Sequence, residues 1–237
     1  MIKKAYCDTP SGQMHYYYGG PADKPPIVFL HQNVSGGKGY LPTLEKLTAE
    51  HHCIAPDLPG FGGSFDPPEF DSISSLTEYT LDFIDALGID KFHTFGNHTG
   101  AGMASEMAGL RPDRVLSCIM VGDLLLTEEQ AAPYREEFSG SSGPSHDAEY
   151  LKITWDYIYN LGGKLDLDNM NDELSGALRA WKVRGMIYKC VWDYRFDLFI
   201  KDVKCPTLLM CAPDDVLYLG HKNAADAMPQ AKVVDLK

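Results

Sequence analysis

The residues with the clearest chemical potential are Gly96-Asn97-His98-Thr99-Gly100. A strand-like run, Phe92-His93-Thr94-Phe95, leads into them, and a helical pattern through Met103, Met107 and Leu110 leads away to Arg111-Pro112. Glycines flanking a polar residue at a strand-to-helix junction are what a very tight bend needs, and the central residue is thrown outward. In a parallel sheet such a bend lies at the carboxyl edge, where ligands bind. An imidazole at that point can take or give a proton near neutral pH, since an unperturbed His has a pKa of about 6.5. A nearby carboxylate raises that value by about one to three units and favours the imidazolium, whereas burial favours the neutral base.

The surrounding elements must hold that bend. Ile27-Val28-Phe29-Leu30, Cys53-Ile54-Ala55-Pro56, Val115 to Val121 and Thr207-Leu208-Leu209-Met210-Cys211 are short apolar runs that read as buried strands. Helical patterns separate them. In the clearest, Ile73, Leu76, Tyr79, Phe83, Ile84 and Leu87 share a face, Ser75 and Glu78 have the spacing of a capping box, and Gly88 marks the stop. Strands alternating with helices predict an α/β fold with a mostly parallel sheet covered on both faces. Gln13 to Tyr18, after Thr9-Pro10-Ser11-Gly12, reads instead as one arm of an antiparallel hairpin at the N-terminus.

The alternation stops between Asp123 and Lys201. The segment 124–200 shows helical patterns alone and holds 12 of the chain's 26 aromatic residues, all three Trp among them. It reads as a helical lid, between a first core part (1–123) and the last core strands (201–237). Its aromatics would serve both the lid's own core and the lining of a pocket, with Trp155 as a candidate substrate contact. Phe138 to Asp147, rich in Ser and Gly, reads as a mobile loop.

The bend does not stand alone. Leu30-His31-Gln32-Asn33 follows one strand, and Pro56-Asp57-Leu58-Pro59-Gly60-Phe61-Gly62-Gly63-Ser64 follows the next. With Arg111-Pro112-Asp113-Arg114-Val115 and Cys205-Pro206-Thr207-Leu208-Leu209, these segments resemble the α/β-hydrolase fold family over nearly the whole chain. More narrowly, His98-Thr99-Gly100-Ala101 resembles a subgroup with His-Thr-Gly-Ala at the elbow, where the family places its nucleophilic serine. The resemblance implies oxyanion donors at the backbone N–H groups of Thr99 and Asn33. It implies an acid at Asp215, with Asp214 one residue off and Asp123 at the alternative place some relatives use. Gln32 stands where the family usually has Gly and narrows the pocket mouth, so His31 and Gln32 join Trp155 as candidate substrate-binding residues, although His31 also suits a loop-bracing hydrogen bond.

The family's general-base His lies in a loop beyond the last strand. The eight histidines here are at 15, 31, 51, 52, 93, 98, 146 and 221, and the sequence ends at Lys237, inside or just after a strand from Lys232 to Leu236. The ordinary Ser-His-Asp mechanism therefore cannot be written, and the C-terminal His loop and helix are expected to be absent. An imidazole at 98 reaches farther than a serine hydroxyl, toward Asp215, so the two form a candidate proton-transfer dyad. The expected function is hydrolysis of a small apolar or aromatic ester or lactone. The alternatives are a cofactor-free lyase, isomerase or cyclase, or a non-catalytic ligand-binding protein of the same fold.

Composition narrows the partners. Lys plus Arg total 21 and Asp plus Glu 33, a net charge of −12, which repels phosphate backbones and anionic lipid. A small molecule is expected, with no nucleic acid and no membrane, and a homo-oligomer is left open. No cofactor is expected: Gly36-Gly37-Lys38-Gly39 lacks the spacing of a phosphate-binding loop. No metal is expected either, because the six cysteines are scattered without ligand spacing. Reduced, buried thiols and the lack of an apolar leader point to the cytoplasm.

Overall fold

A computed structural model describes residues 1–138, 143–162 and 166–237. Part of the Ser/Gly-rich loop expected at Phe138 to Asp147 lies outside the described residues. Eight strands form one sheet: β1 (Lys3–Thr9), β2 (Gly12–Gly19), β3 (Ile27–Leu30), β4 (Cys53–Pro56), β5 (Phe92–Asn97), β6 (Val115–Val121), β7 (Thr207–Cys211) and β8 (Lys232–Asp235). Their order is β1-β2-β4-β3-β5-β6-β7-β8. β1 pairs antiparallel with β2, and β2 with β4; every other pair is parallel.

Helices cover both faces: α1 (Leu41–Leu47), α2 (Ile73–Ala86), α3 (Thr99–Leu110) and, after β7, α9 (Tyr218–Ala227). Between β6 and β7 lie α4 (Glu128–Glu137), α5 (Glu149–Gly162), α6 (Leu167–Arg179), α7 (Trp181–Cys190) and α8 (Asp197–Ile200). The core strands are apolar on both sides because both sides are covered. Val28, Leu30 and Ile54 join the large cluster on one face, while Phe29, Cys53 and Ala55 join a smaller one on the other. That alternation is the period-two geometry of a strand. A third cluster, with Val34, Ile158, Met170 and Ala177, packs the inserted helices onto the loop after β3. All six cysteines are free thiols.

One expected cap is displaced. α2 starts at Ile73, and Ser72 caps it by accepting from the Ser74 N–H. The Ser75–Glu78 pair instead lies inside the helix. Ser72 is the residue with extended backbone (φ −144°, ψ 144°), which is what lets its side chain turn back onto the first turn. Gly88 at φ +69° follows the helix end, as a left-handed terminator does.

Candidate active site at the strand-to-helix bend

The bend after β5 is set by main-chain crowding. A Cβ on Gly96 would sit 2.0 Å from the Gly100 carbonyl oxygen, and one on Gly100 would sit 2.0 Å from that of Leu30. Only glycine fits at either position. Between them His98 takes φ 49°, ψ −113°, a conformation rare outside glycine. Its N–H donates to the Val121 carbonyl at 2.8 Å, and its own carbonyl accepts from Ala101 N–H at 2.8 Å, opening α3.

The imidazole Nε2 lies 3.0 Å from Asp215 Oδ2. Asp215 belongs to the turn between β7 and α9, and its Oδ1 accepts from the Leu217 N–H at 2.8 Å. Neighbouring Asp214 lines the cavity but makes no bond to His98. Burial alone would push the Asp215 carboxyl up; the His98 hydrogen bond and charge, with the Leu217 N–H, outweigh it and hold the carboxyl below its ordinary range. Donation from Nε2 to the carboxylate leaves His98 Nδ1 without a hydrogen bond among the described residues. That nitrogen accepts a proton when the ring is neutral and donates one when it is charged. Behind the ring is Gly122, where a Cβ would come 2.4 Å from His98 Cδ2. Sequence reasoning missed Gly122; its only signal is a glycine directly after an apolar strand.

A cavity of about 490 Å³ opens beside this pair. Its floor includes Gln32, Asn33, Asn97 and Thr99 at the strand ends, and its roof Phe138, Tyr157, Tyr188 and Trp192 from the inserted helices. The roof is moored at several points. Phe196 packs where a Cβ on Gly102 of α3 would stand, Tyr134 donates to the Val216 carbonyl at 2.7 Å, and Arg179 donates to the Gly60 and Ser64 carbonyls. The N–H groups of Asn33 and Thr99 donate to no hydrogen bond among the described residues. Both residues line the cavity.

Two further candidates lie elsewhere. His31 is 1% exposed and does not line the cavity. Its Nδ1 pairs with the Gln32 carbonyl at 2.8 Å and its Nε2 accepts from the Leu58 N–H at 3.0 Å, so it ties two loops together. Trp155 is also absent from the lining; it packs with the Val34, Ile158 and Met170 cluster beneath the inserted helices. The amphipathic pattern of α5 turns Tyr157 and Ile158 to the cavity instead.

A second imidazole went unnoticed in the sequence. His221, on α9, is 1% exposed, with Nδ1 3.6 Å from Asp123 Oδ2 and Nε2 3.7 Å from Asp235 Oδ1. Among the described residues neither ring nitrogen has a hydrogen bond, and neither does Asp123 Oδ2. Burial pushes the Asp123 carboxyl up despite the opposing pull of His221 and His98. Among the described residues no cluster has the makings of a metal site, and no helix is long and apolar enough to cross a membrane.

Comparison with known proteins fits this geometry. The sequence profile of the α/β hydrolase fold matches residues 25–140. A haloalkane dehalogenase of Mycolicibacterium paratuberculosis is 30% identical over 129 residues, 53% of this chain and 43% of the relative. A carboxylesterase of Bacillus subtilis, itself uncharacterized, is 27% identical over 137 residues, 57% and 44% of the two chains. The matches thus span less than half the length of these curated relatives. Among solved structures, a hydrolase from Pseudomonas aeruginosa superposes with a TM-score of 0.82 at 18% identity, covering 99% of this chain and 90% of that one. The enol-lactonase of Burkholderia xenovorans superposes at 0.80 with 17% identity, covering 98% and 91%. At that identity the likeness is one of fold.

Proposed function

We propose that this chain, which belongs to the α/β-hydrolase fold family, hydrolyses a small apolar or aromatic ester or lactone, with His98 moving the protons. The observation that carries the reading is the 3.0 Å bond from His98 Nε2 to Asp215, which leaves Nδ1 free beside the cavity. In its neutral form the ring takes a proton from water at Nδ1 while the water oxygen adds to the substrate carbonyl. The negative charge that develops on the carbonyl oxygen is received by the N–H groups of Asn33 and Thr99. Thr99 begins α3, so the helix dipole adds to that field. The imidazolium, stabilised by Asp215, then returns its proton from Nδ1 to the departing alkoxide, and the acid and alcohol leave. No group is consumed. The inserted helices act here as a lid whose aromatic underside excludes water around the acyl portion.

Hydrolytic relatives and neighbours support the class of reaction, and the apolar roof supports the class of substrate. Turnover of a panel of activated esters by His98→Ala and His98→Gln tests the role of the ring. Both variants are expected to lose about 100-fold or more in kcat/KM, the size of a general acid–base contribution. Retention of activity in His98→Gln, which keeps a hydrogen-bonding side chain but cannot transfer protons, would refute proton transfer by the imidazole.

A further inference from the structure

The cavity is chemically lopsided. Among the described residues its lining includes three carboxylates, Glu173, Asp214 and Asp215, and no Lys or Arg. Asp215 is committed to His98, and Asp214 is exposed. Glu173, half-buried on α6, differs from both. Its Oε1 accepts from Ser35 Oγ at 2.9 Å, and neither oxygen has a cationic partner among the described residues. Lys38 pairs instead with the neighbouring acid: its Nζ lies 2.7 Å from Asp172, one residue before Glu173. The Glu173 carboxyl is pushed up by burial and by the charge of Asp172, against the pull of the Ser35 bond. Close by on the floor, Asn33 Oδ1 is a buried acceptor without a donor.

Arg184, the one buried Lys or Arg of the inserted helices among the described residues, does not answer this charge. Arg184 lies over the Tyr157 and Tyr188 rings, 4.5 and 5.8 Å from their centroids, and does not line the cavity, whereas both rings do. An anionic ligand would meet carboxylates with no lining guanidinium or ammonium to receive it. A cationic one would find a desolvated carboxylate with an oxygen to spare.

We propose that the ligand of this cavity is a primary amine, bound as its ammonium ion to Glu173 while its apolar body lies under Phe138 and Trp192. The proposal deepens the hydrolytic reading of the same cavity and makes Glu173 a specificity-determining residue. Charge-assisted hydrogen bonds are roughly twice as strong as neutral ones. Replacing an ammonium by a hydroxyl on the same body is therefore expected to weaken binding about tenfold, one decade of Kd.

Calorimetry at about pH 8, where an ordinary carboxyl is ionised and an alkylamine charged, tests this with three ligands that differ only at the head: 3-phenylpropylammonium, 3-phenylpropan-1-ol and 3-phenylpropanoate. The ammonium is expected to bind about tenfold more tightly than the alcohol, and the carboxylate weakest. Glu173→Gln is expected to erase the preference of ammonium over alcohol, weakening the ammonium about tenfold and the alcohol by less. Should that variant fail to fold, the wild-type protein supplies the same test: acidification through the Glu173 titration must weaken the ammonium and spare the alcohol. Equal affinity for ammonium and alcohol, tightest binding of the carboxylate, or no ammonium binding at millimolar concentration overturns the proposal. Turnover of neutral activated esters is read separately. Loss of that turnover with intact ammonium selectivity removes the hydrolytic reading and keeps the ligand class; the converse removes only the ligand class.

Discussion

Two imidazole–carboxylate couples stand next to each other beyond the ends of β6 and β7, and they are built on opposite terms. His98 and Asp215 are each about a quarter exposed, meet at 3.0 Å, and share a hydrogen bond that helps hold the carboxyl below its usual range. His221 and Asp123 are almost wholly buried, stay 3.6 Å apart, and leave both ring nitrogens and Asp123 Oδ2 without hydrogen bonds among the described residues. Burial without a bond pushes the Asp123 carboxyl the other way. The lesson concerns what sets a carboxyl's state: 0.6 Å of separation and a place at the cavity divide a hydrogen-bonded couple from a buried one whose facing atoms make no hydrogen bond among the described residues. Asp123 and Asp215 were both candidate acids from their places after β6 and β7; only Asp215 reaches the ring of His98.

The contrast can be broken at three points. Asp215→Asn removes the charge that stabilises the imidazolium, so ester turnover is expected to fall about 100-fold, measured as kcat/KM. Gly122→Ala attacks the same couple without replacing either partner: the new methyl displaces the ring, and φ +66° strains any residue but glycine. We expect about tenfold lower turnover and about 2 kcal/mol lower stability by denaturant unfolding. Asp123→Asn should do the reverse. Removing a carboxyl that burial pushes up, and whose Oδ2 has no hydrogen bond among the described residues, is expected to raise stability by about 1 kcal/mol at neutral pH and leave turnover within about threefold.

Acidification sharpens the difference, because the two carboxyls are shifted in opposite senses. Asp215 is depressed, so its contribution to stability is complete above the ordinary carboxyl pKa of about 3.9 and is lost as pH falls through its folded value. Asp123 is raised, so its cost is present above its folded pKa and vanishes as pH falls through it. Thermal unfolding from neutral to acid pH should therefore show wild type losing more than Asp215→Asn. The advantage of Asp123→Asn should shrink over the same range.

Much of this arrangement was legible before any coordinates. β3, β4, β6 and β7 begin and end where their apolar runs do, because strands covered on both faces admit few polar residues. The bend was legible because two crowded glycines leave a fixed spacing around His98. What escaped notice depends on contacts distant in sequence. Nothing local joins His221 to Asp123, 98 positions earlier, or Glu173 to Ser35. α6 carries Asp168, Asp172 and Glu173 within six residues, so no pattern tells which acid faces a cavity. Trp155 misled for the complementary reason, since a large aromatic suits a ligand and a packed interior equally well; for His31, the loop-bracing reading is the one its two hydrogen bonds match.

The bend itself has one more consequence. Every bond that shapes residue 98 uses its main chain: the N–H to Val121, the carbonyl to Ala101, and the clearances at Gly96 and Gly100. The imidazole contributes nothing to the bracket that holds it out. Scaffold and reagent are thus separable, and a different side chain can be hung there at little structural cost beyond the roughly 1–3 kcal/mol that such a backbone already stores. A serine fitted at that point would keep its perch, but its short side chain would not span to Asp215 as the imidazole does.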